Sequence, residues 1–248
     1  MTLIQPTGNK TLARIVADDY RAAQVFEQFG LDYCCKGKRE LALACQEKGI
    51  QQAEVITELE ALTTEKNNAE RFNTWSVEFL ADYIVLQHHS YVRTMIPLIQ
   101  LHLQKVVNAH AEKHPEIIEI QNSFENMSPV LLNHLSEEET VVFPRIKSVA
   151  ISSQLNVNDV VIENELKSYL ENLDVEHREV GDILHRIQTL TNNFTPLLDA
   201  CNTFRVLYQE LKAFQEDMFK HIHLENNILF PKVAAMFKDQ NQNSTLNN

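Results

Sequence analysis

Four long apolar-periodic stretches, very little glycine and a short skeleton written twice predict an all-α protein. The expected architecture is an antiparallel four-helix bundle preceded by a small N-terminal helical domain. Only five Gly and seven Pro occur in 248 residues, and 44% of the chain is hydrophobic. Alternating β-branched runs are absent, so helix is the reading that composition favours. The repeated skeleton is HLSEEETVVFP at 134–144 and HIHLENNILFP at 221–231. His134 and His221, Glu138 and Glu225, Phe143 and Phe230, and Pro144 and Pro231 all stand 87 residues apart.

Residues 1–62 are expected to form the small domain. Helical stretches at roughly 11–29 and 38–48 flank the segment GLDYCCKGK, with Gly30 and Gly49 as helix stops, and a short helix at roughly 51–62 follows. Polar TTEKNNAERFN marks a linker at 63–73, and residues 74–240 supply the bundle. Its stretches run roughly 76–110, 115–149, 159–191 and 197–238, with short polar connections that make neighbours antiparallel. Residues 241–248 read as a disordered polar tail. Pro129 is expected to kink the second stretch, or to restart it with Ser128 as N-cap.

The core stripes carry the chemistry. The second runs Ile120, Phe124, Met127, Leu131, His134, Glu138, Val141. The third runs Leu166, Leu170, Leu173, His177, Val180, Leu184, Ile187. The fourth runs Leu207, Leu211, Phe214, Met218, His221, Glu225, Ile228. A His and a Glu four residues apart share a helix face. Placing an ionised carboxylate in a core is costly unless a compensating charge is present. A cation meets that need on both helices, with neutral imidazoles and ionised carboxylates as ligands. On the first stretch, periodicity fits His88 (with Ile84, Tyr91, Met95) as well as His89 (with Val92, Ile96, Ile99). Spacing favours His89, which precedes His134 by 45 residues as His177 precedes His221 by 44. Two helix pairs, each giving one His and one His-x-x-x-Glu, make a two-metal site. Four imidazoles, two bridging carboxylates and an oxo or hydroxo bridge would fill all but about one position on each of two octahedral ions. Such mixed ligation suits iron, with manganese or zinc as alternatives.

These motifs, together with GLDYCCKGKREL near the N-terminus, resemble the iron-sulfur cluster repair di-iron proteins, the RIC family of the hemerythrin-like superfamily. The resemblance covers nearly the whole chain and implies a hemerythrin-like bundle holding two non-haem iron ions. It makes His89, His134, His177 and His221 terminal ligands and Glu138 and Glu225 bridging carboxylates. It selects His89 because the family's first ligand stands eight residues before a Pro, here Pro97. The implied function is repair of iron-sulfur clusters damaged by nitrosative or oxidative stress, by supplying iron. Reduction of nitric oxide to nitrous oxide, or binding and sensing of a diatomic gas, are the alternatives. The family's usual Cys-Cys-Gly-Gly carries Lys36 in place of its first Gly, which would be strained if that position needs a positive φ.

The vicinal Cys34 and Cys35 are candidates for a redox or iron-transfer pair, with Lys36, Lys38 and Arg39 expected to lower the thiol pKa. Cys45 and Cys201 read as packing residues. His88 and His223 read as ordinary helix-face side chains, the latter solvated. His110 is either a hydrogen-bond partner or a surface residue; His102, His114 and His185 read as surface. Glu137 and Glu139 read as a solvated face. No catalytic residue is assigned.

A net charge of -12 excludes nucleic acid and anionic membrane surfaces as partners. Damaged iron-sulfur proteins or cluster-assembly proteins, and nitric oxide or oxygen as small ligands, are the partners expected. A Cys-bearing domain on a linker also suits a homodimer. The N-terminus MTLIQPTGNK lacks an apolar signal core, so the expected location is cytoplasmic.

Overall fold

The computed structural model describes residues 7–64, 72–154 and 160–237. Helices α1 (Leu12–Asp18), α2 (Ala22–Gln28), α3 (Leu41–Lys48) and α4 (Gln52–Thr64) make the N-terminal unit. The single stretch expected over 11–29 breaks in two. Asp19 is extended (φ -150°, ψ 106°), and its carboxylate accepts from the Arg21 amide at 3.1 Å. That local bond competes with the helix ladder, as short carboxylates do. Thr11 caps α1 by accepting from the Arg14 amide. Gly30 (φ 63°) ends α2, with the Leu31 amide reaching back to the Phe26 carbonyl at 2.7 Å.

The bundle consists of α5 (Val77–Tyr83) running into α6 (Ser90–His110), α7 (Glu116–Glu137) running into α8 (Phe143–Gln154), α9 (Val160–Leu190) and α10 (Asn202–Leu224). Three of these rods contain a π-helical turn: Ile84–His89, Glu138–Val142 and Glu225–Leu229. The second and third are again 87 residues apart. No strand occurs among the described residues, beyond an isolated bridge between Thr11 and Glu40. Pro129 neither restarts nor ends α7, which is continuous from Glu116 to Glu137. Ser128 is not an N-cap; its hydroxyl donates to the Phe124 carbonyl one turn back, at 2.6 Å.

The π-turns matter because each adds a residue to one turn and shifts the buried stripe by one position. Val141, expected inside, is only half-buried, whereas Val142 and Phe143 are core. On the first rod the shift brings both His88 and His89 inside, while Tyr91 and Met95 are left half-buried. Leu80 is buried before the turn, Ile84, His88 and His89 within it, and Val92, Ile96, Ile99 and Leu103 after it.

The apolar core is divided at this level. One cluster contains Val92, Leu135, Val180 and Ile222; the other contains Ile84, Val142, Leu173 and Leu224. On all four rods the boundary falls at the repeated His and Glu residues, so a polar layer crosses the bundle between two greasy halves. The N-terminal unit joins the first cluster through Leu12, Phe26, Tyr33 and Cys34. Of the linker expected over 63–73, residues 65–71 lie outside the described residues, while α4 reaches Thr64 and Phe72 is buried. The expected tail at 241–248 also lies outside them.

Candidate metal centre

His89, His134, Glu138, His177, His221 and Glu225 meet in the polar layer, all buried, with both carboxylates and His221 at 0% exposure. Their ligand atoms fall into two groups, each within 4.8 Å: His89, His221, Glu138 and Glu225, and His134, His177, Glu138 and Glu225. Each carboxylate is shared. Glu138 puts Oε2 3.4 Å from His89 Nε2 and Oε1 3.1 Å from His134 Nε2. Glu225 puts Oε1 3.0 Å from His221 Nε2 and Oε2 3.1 Å from His177 Nε2. The groups therefore pair the outer rods, first with fourth, and the inner rods, second with third. Sequence spacing had instead paired the first helix with the second and the third with the fourth.

The donor set fits a cation. Both oxygens of Glu138 and of Glu225, with His89 Nε2 and His221 Nε2, are buried and lack a hydrogen-bond partner. Orphaned buried atoms of this kind are costly and call for an unseen partner. His134 Nε2 and His177 Nε2 face each other at 3.1 Å, an arrangement in which two lone pairs converge. Without a cation, protons must stand in for it. Burial opposes charge on His134, yet Glu138, with Glu176 adding a hydrogen bond, pushes its pKa up to about 10. Burial and the neighbouring carboxylate raise the pKa of Glu138, but the imidazoles outweigh them and hold it below the usual range. Burial also opposes ionisation of Glu225, yet His221 and His177 hold it well below that range.

The imidazoles are oriented from behind, as metal-binding histidines commonly are. His89 Nδ1 is 2.9 Å from Glu139 Oε1, His134 Nδ1 is 2.5 Å from Glu176 Oε2, and His177 Nδ1 is 3.0 Å from Asn226 Oδ1. Sequence reasoning missed these three. Glu139, read as a solvated face, also pairs with Arg93 at 3.1 Å. The signal was present: each stands next to a ligand in the chain, and Glu139 and Asn226 are themselves 87 residues apart.

His88 and His223 are corrections. His88 is buried with Nδ1 2.9 Å from Asp217 Oδ1, and burial lowers its pKa despite that carboxylate. His223 is wholly buried against the rings of Tyr20 and Tyr33, and burial pushes its pKa down to about 3. The face His223 occupies meets the N-terminal unit, not solvent. His102, His114 and His185 sit at the periphery with polar partners (Glu210, Asp199 and Gln188). His110 Nε2 lies 3.2 Å from Cys201 Sγ, and Cys201 is exposed, not packed in a core.

The Cys-Cys loop docks on the layer. Cys35 Sγ donates to the His177 carbonyl at 3.4 Å and enters a notch at Gly181, where a Cβ would lie 2.8 Å from that sulfur. Asn227 Nδ2 donates to the carbonyls of Tyr33 and Cys34, both at 3.1 Å. The two sulfurs are 3.6 Å apart, and both thiols are free. The basic neighbours do not lower the Cys34 pKa. Burial, with Cys35 and Asp32 beside it, pushes the thiol well up. Lys36 is not among the residues with positive φ, so its replacement of glycine strains nothing. Gly37 is the demanding position: a Cβ there would lie 2.2 Å from the Tyr33 carbonyl oxygen.

Residues 80–233 match the hemerythrin HHE cation binding domain, and residues 8–63 match a domain of unknown function, DUF542. A probable iron-sulfur cluster repair protein of Haemophilus influenzae is 33% identical over 216 residues, 86% of this chain and 91% of its own length. The iron-sulfur cluster repair protein YtfE of Yersinia pestis is 32% identical over 224 residues, covering 90% and 96%. The chain belongs to the hemerythrin-like iron-sulfur cluster repair family. The two matched regions follow the division between the N-terminal unit and the bundle, and the HHE region contains all six converging residues. Family membership agrees with the resemblance carried by the two His-x-x-x-Glu segments and the Cys-Cys loop. No described helix is long and apolar enough to cross a membrane.

Proposed function

We propose that this protein is a non-haem di-iron protein that repairs iron-sulfur clusters damaged by nitrosative or oxidative stress, by supplying iron. His89 and His221 would hold one iron, His134 and His177 the other, with Glu138, Glu225 and an oxo or hydroxo group bridging them. The observation that carries this reading is the division of each carboxylate's two oxygens between two different histidine pairs. A single-ion site or a structural ion pair needs no such sharing.

The iron supplies redox chemistry and a transferable ion. The chain's own residues supply the rest. Glu139, Glu176 and Asn226 fix ring orientation, and the apolar halves above and below exclude water. The Cys34–Cys35 loop lies over the His177 end of the layer, where it suits a redox or iron-transfer role toward a damaged cluster protein in the cytoplasm. The names of the relatives support the client class. The test is reactivation of an oxidatively damaged iron-sulfur enzyme by the iron-loaded full chain. Wild type should restore activity and a His134→Ala, Glu138→Ala variant should not. Equal recovery with both would sink the proposal.

A further inference from the structure

The site has an approximate twofold relation that sequence offsets make explicit. His134 corresponds to His221 and Glu138 to Glu225 at 87 residues; His89 corresponds to His177 at 88. The orienting residues follow it in part. Glu139, which holds His89, corresponds to Asn226, which holds His177. Glu176 precedes His177 and holds His134. Its counterpart at 88 residues is His88, which precedes His89 and lies against His221.

Here the symmetry fails. His88 Nδ1 is engaged with Asp217 at 2.9 Å, and its ring lies nearly parallel to that of His221, at a centroid separation of 5.9 Å and an interplanar angle of 15°. His221 Nδ1 is buried with no partner, and so is His88 Nε2. Three imidazoles of the layer are tethered from behind and the fourth is not.

We propose that the two metal positions are unequal, and that the ion between His89 and His221 is the one this protein gives up. The inference rests on the di-iron reading and deepens it. An Nδ1 partner fixes ring orientation and raises ligand basicity, and removing one typically weakens metal affinity 10- to 100-fold. The His134–His177 position has both tethers, while the His89–His221 position has one. His88 is the residue that sets the difference.

The test is chelator-driven release from the full-length diferrous protein, followed by the absorbance of the ferrous chelate. Wild type should lose its iron in two phases of equal amplitude, with rates separated by about 10- to 100-fold. His88→Glu supplies the carboxylate found in the other half and should slow the fast phase toward the slow one. Glu176→Ala, at a side chain 40% exposed, should speed the slow phase and leave the fast one. A single phase from wild type carrying two irons overturns the inference while the di-iron reading stands. So does a Glu176→Ala variant that accelerates only the fast phase, which also decides the matter if His88→Glu does not load. Fewer than two irons bound by wild type would instead overturn the reading beneath it.

Discussion

The polar layer and the Cys-Cys loop touch each other, and both carry residues suited to metal or redox chemistry, yet they are built in opposite ways. In the layer, Glu138, Glu225, His89 and His221 point buried, unpartnered atoms at shared centres. In the loop, Cys34 Sγ has Asp32 at 3.3 Å and Cys35 Sγ has the His177 carbonyl, so the polar atoms are already occupied. An unsatisfied buried group is expensive and a satisfied one is quiet. The layer is therefore arranged to receive a cation, and the loop is arranged to stay closed over it.

Four changes would break or sharpen that contrast. The largest effect is expected from Glu138→Ala, which removes one oxygen from each ligand group. Metal analysis should find both ions lost, whereas His134→Ala should leave the His89–His221 group intact. A variant retaining one ion after Glu138→Ala would mean the carboxylate is not shared.

Next comes pH. In the metal-free protein the raised His134 pKa gives stability that is complete below its ordinary 6.5 and lost as pH rises toward about 10. The lowered Glu225 pKa gives stability that is present above its ordinary 4.5 and lost as pH falls. Metal-free Tm should thus peak between these two ordinary values and decline above them, because protons hold the layer together. Iron loading should remove the alkaline decline, since the ion replaces those protons. Parallel Tm curves for the two forms would contradict this.

Asn227→Ala leaves the carbonyls of Tyr33 and Cys34 without their side-chain donor. About 1–3 kcal/mol should be lost in denaturant unfolding, with two irons still bound. The smallest global effect belongs to Gly181→Ala. Alanine gains about 1 kcal/mol of helix propensity, offset by the approach to Cys35 Sγ. Net stability should move little, but alkylation of Cys35, read by mass spectrometry, should accelerate. Unchanged alkylation would mean the notch does not hold the thiol.

Much of this was legible in the chain. The four rods, the small domain and the convergence of His134, Glu138, His177, His221 and Glu225 follow from periodicity and from a repeat too regular for chance. What escaped was tied to the π-turns, which no residue type announces. A strict 3.6-residue stripe placed Val141 inside and allowed only one of His88 and His89. It also turned His223 outward, although docking of the N-terminal unit covers that face with Tyr20 and Tyr33. Glu139, Glu176 and Asn226 were invisible for another reason. A residue beside a ligand points about 100° away on its own helix and finds its histidine on a neighbouring one.

The π-turns also act as phase slips in a screw. Each advances its rod by one residue within a single turn, so the thread below the layer runs about 100° out of step with the thread above. Three slips at one height let the same four rods present two independently phased cores, one on each side. Excising a single residue from 138–142 would leave the upper thread in step and swing Phe143 and Ile146 away from their partners. The bundle is in this sense two short bundles spliced at the layer, and the splice is where the ligands stand.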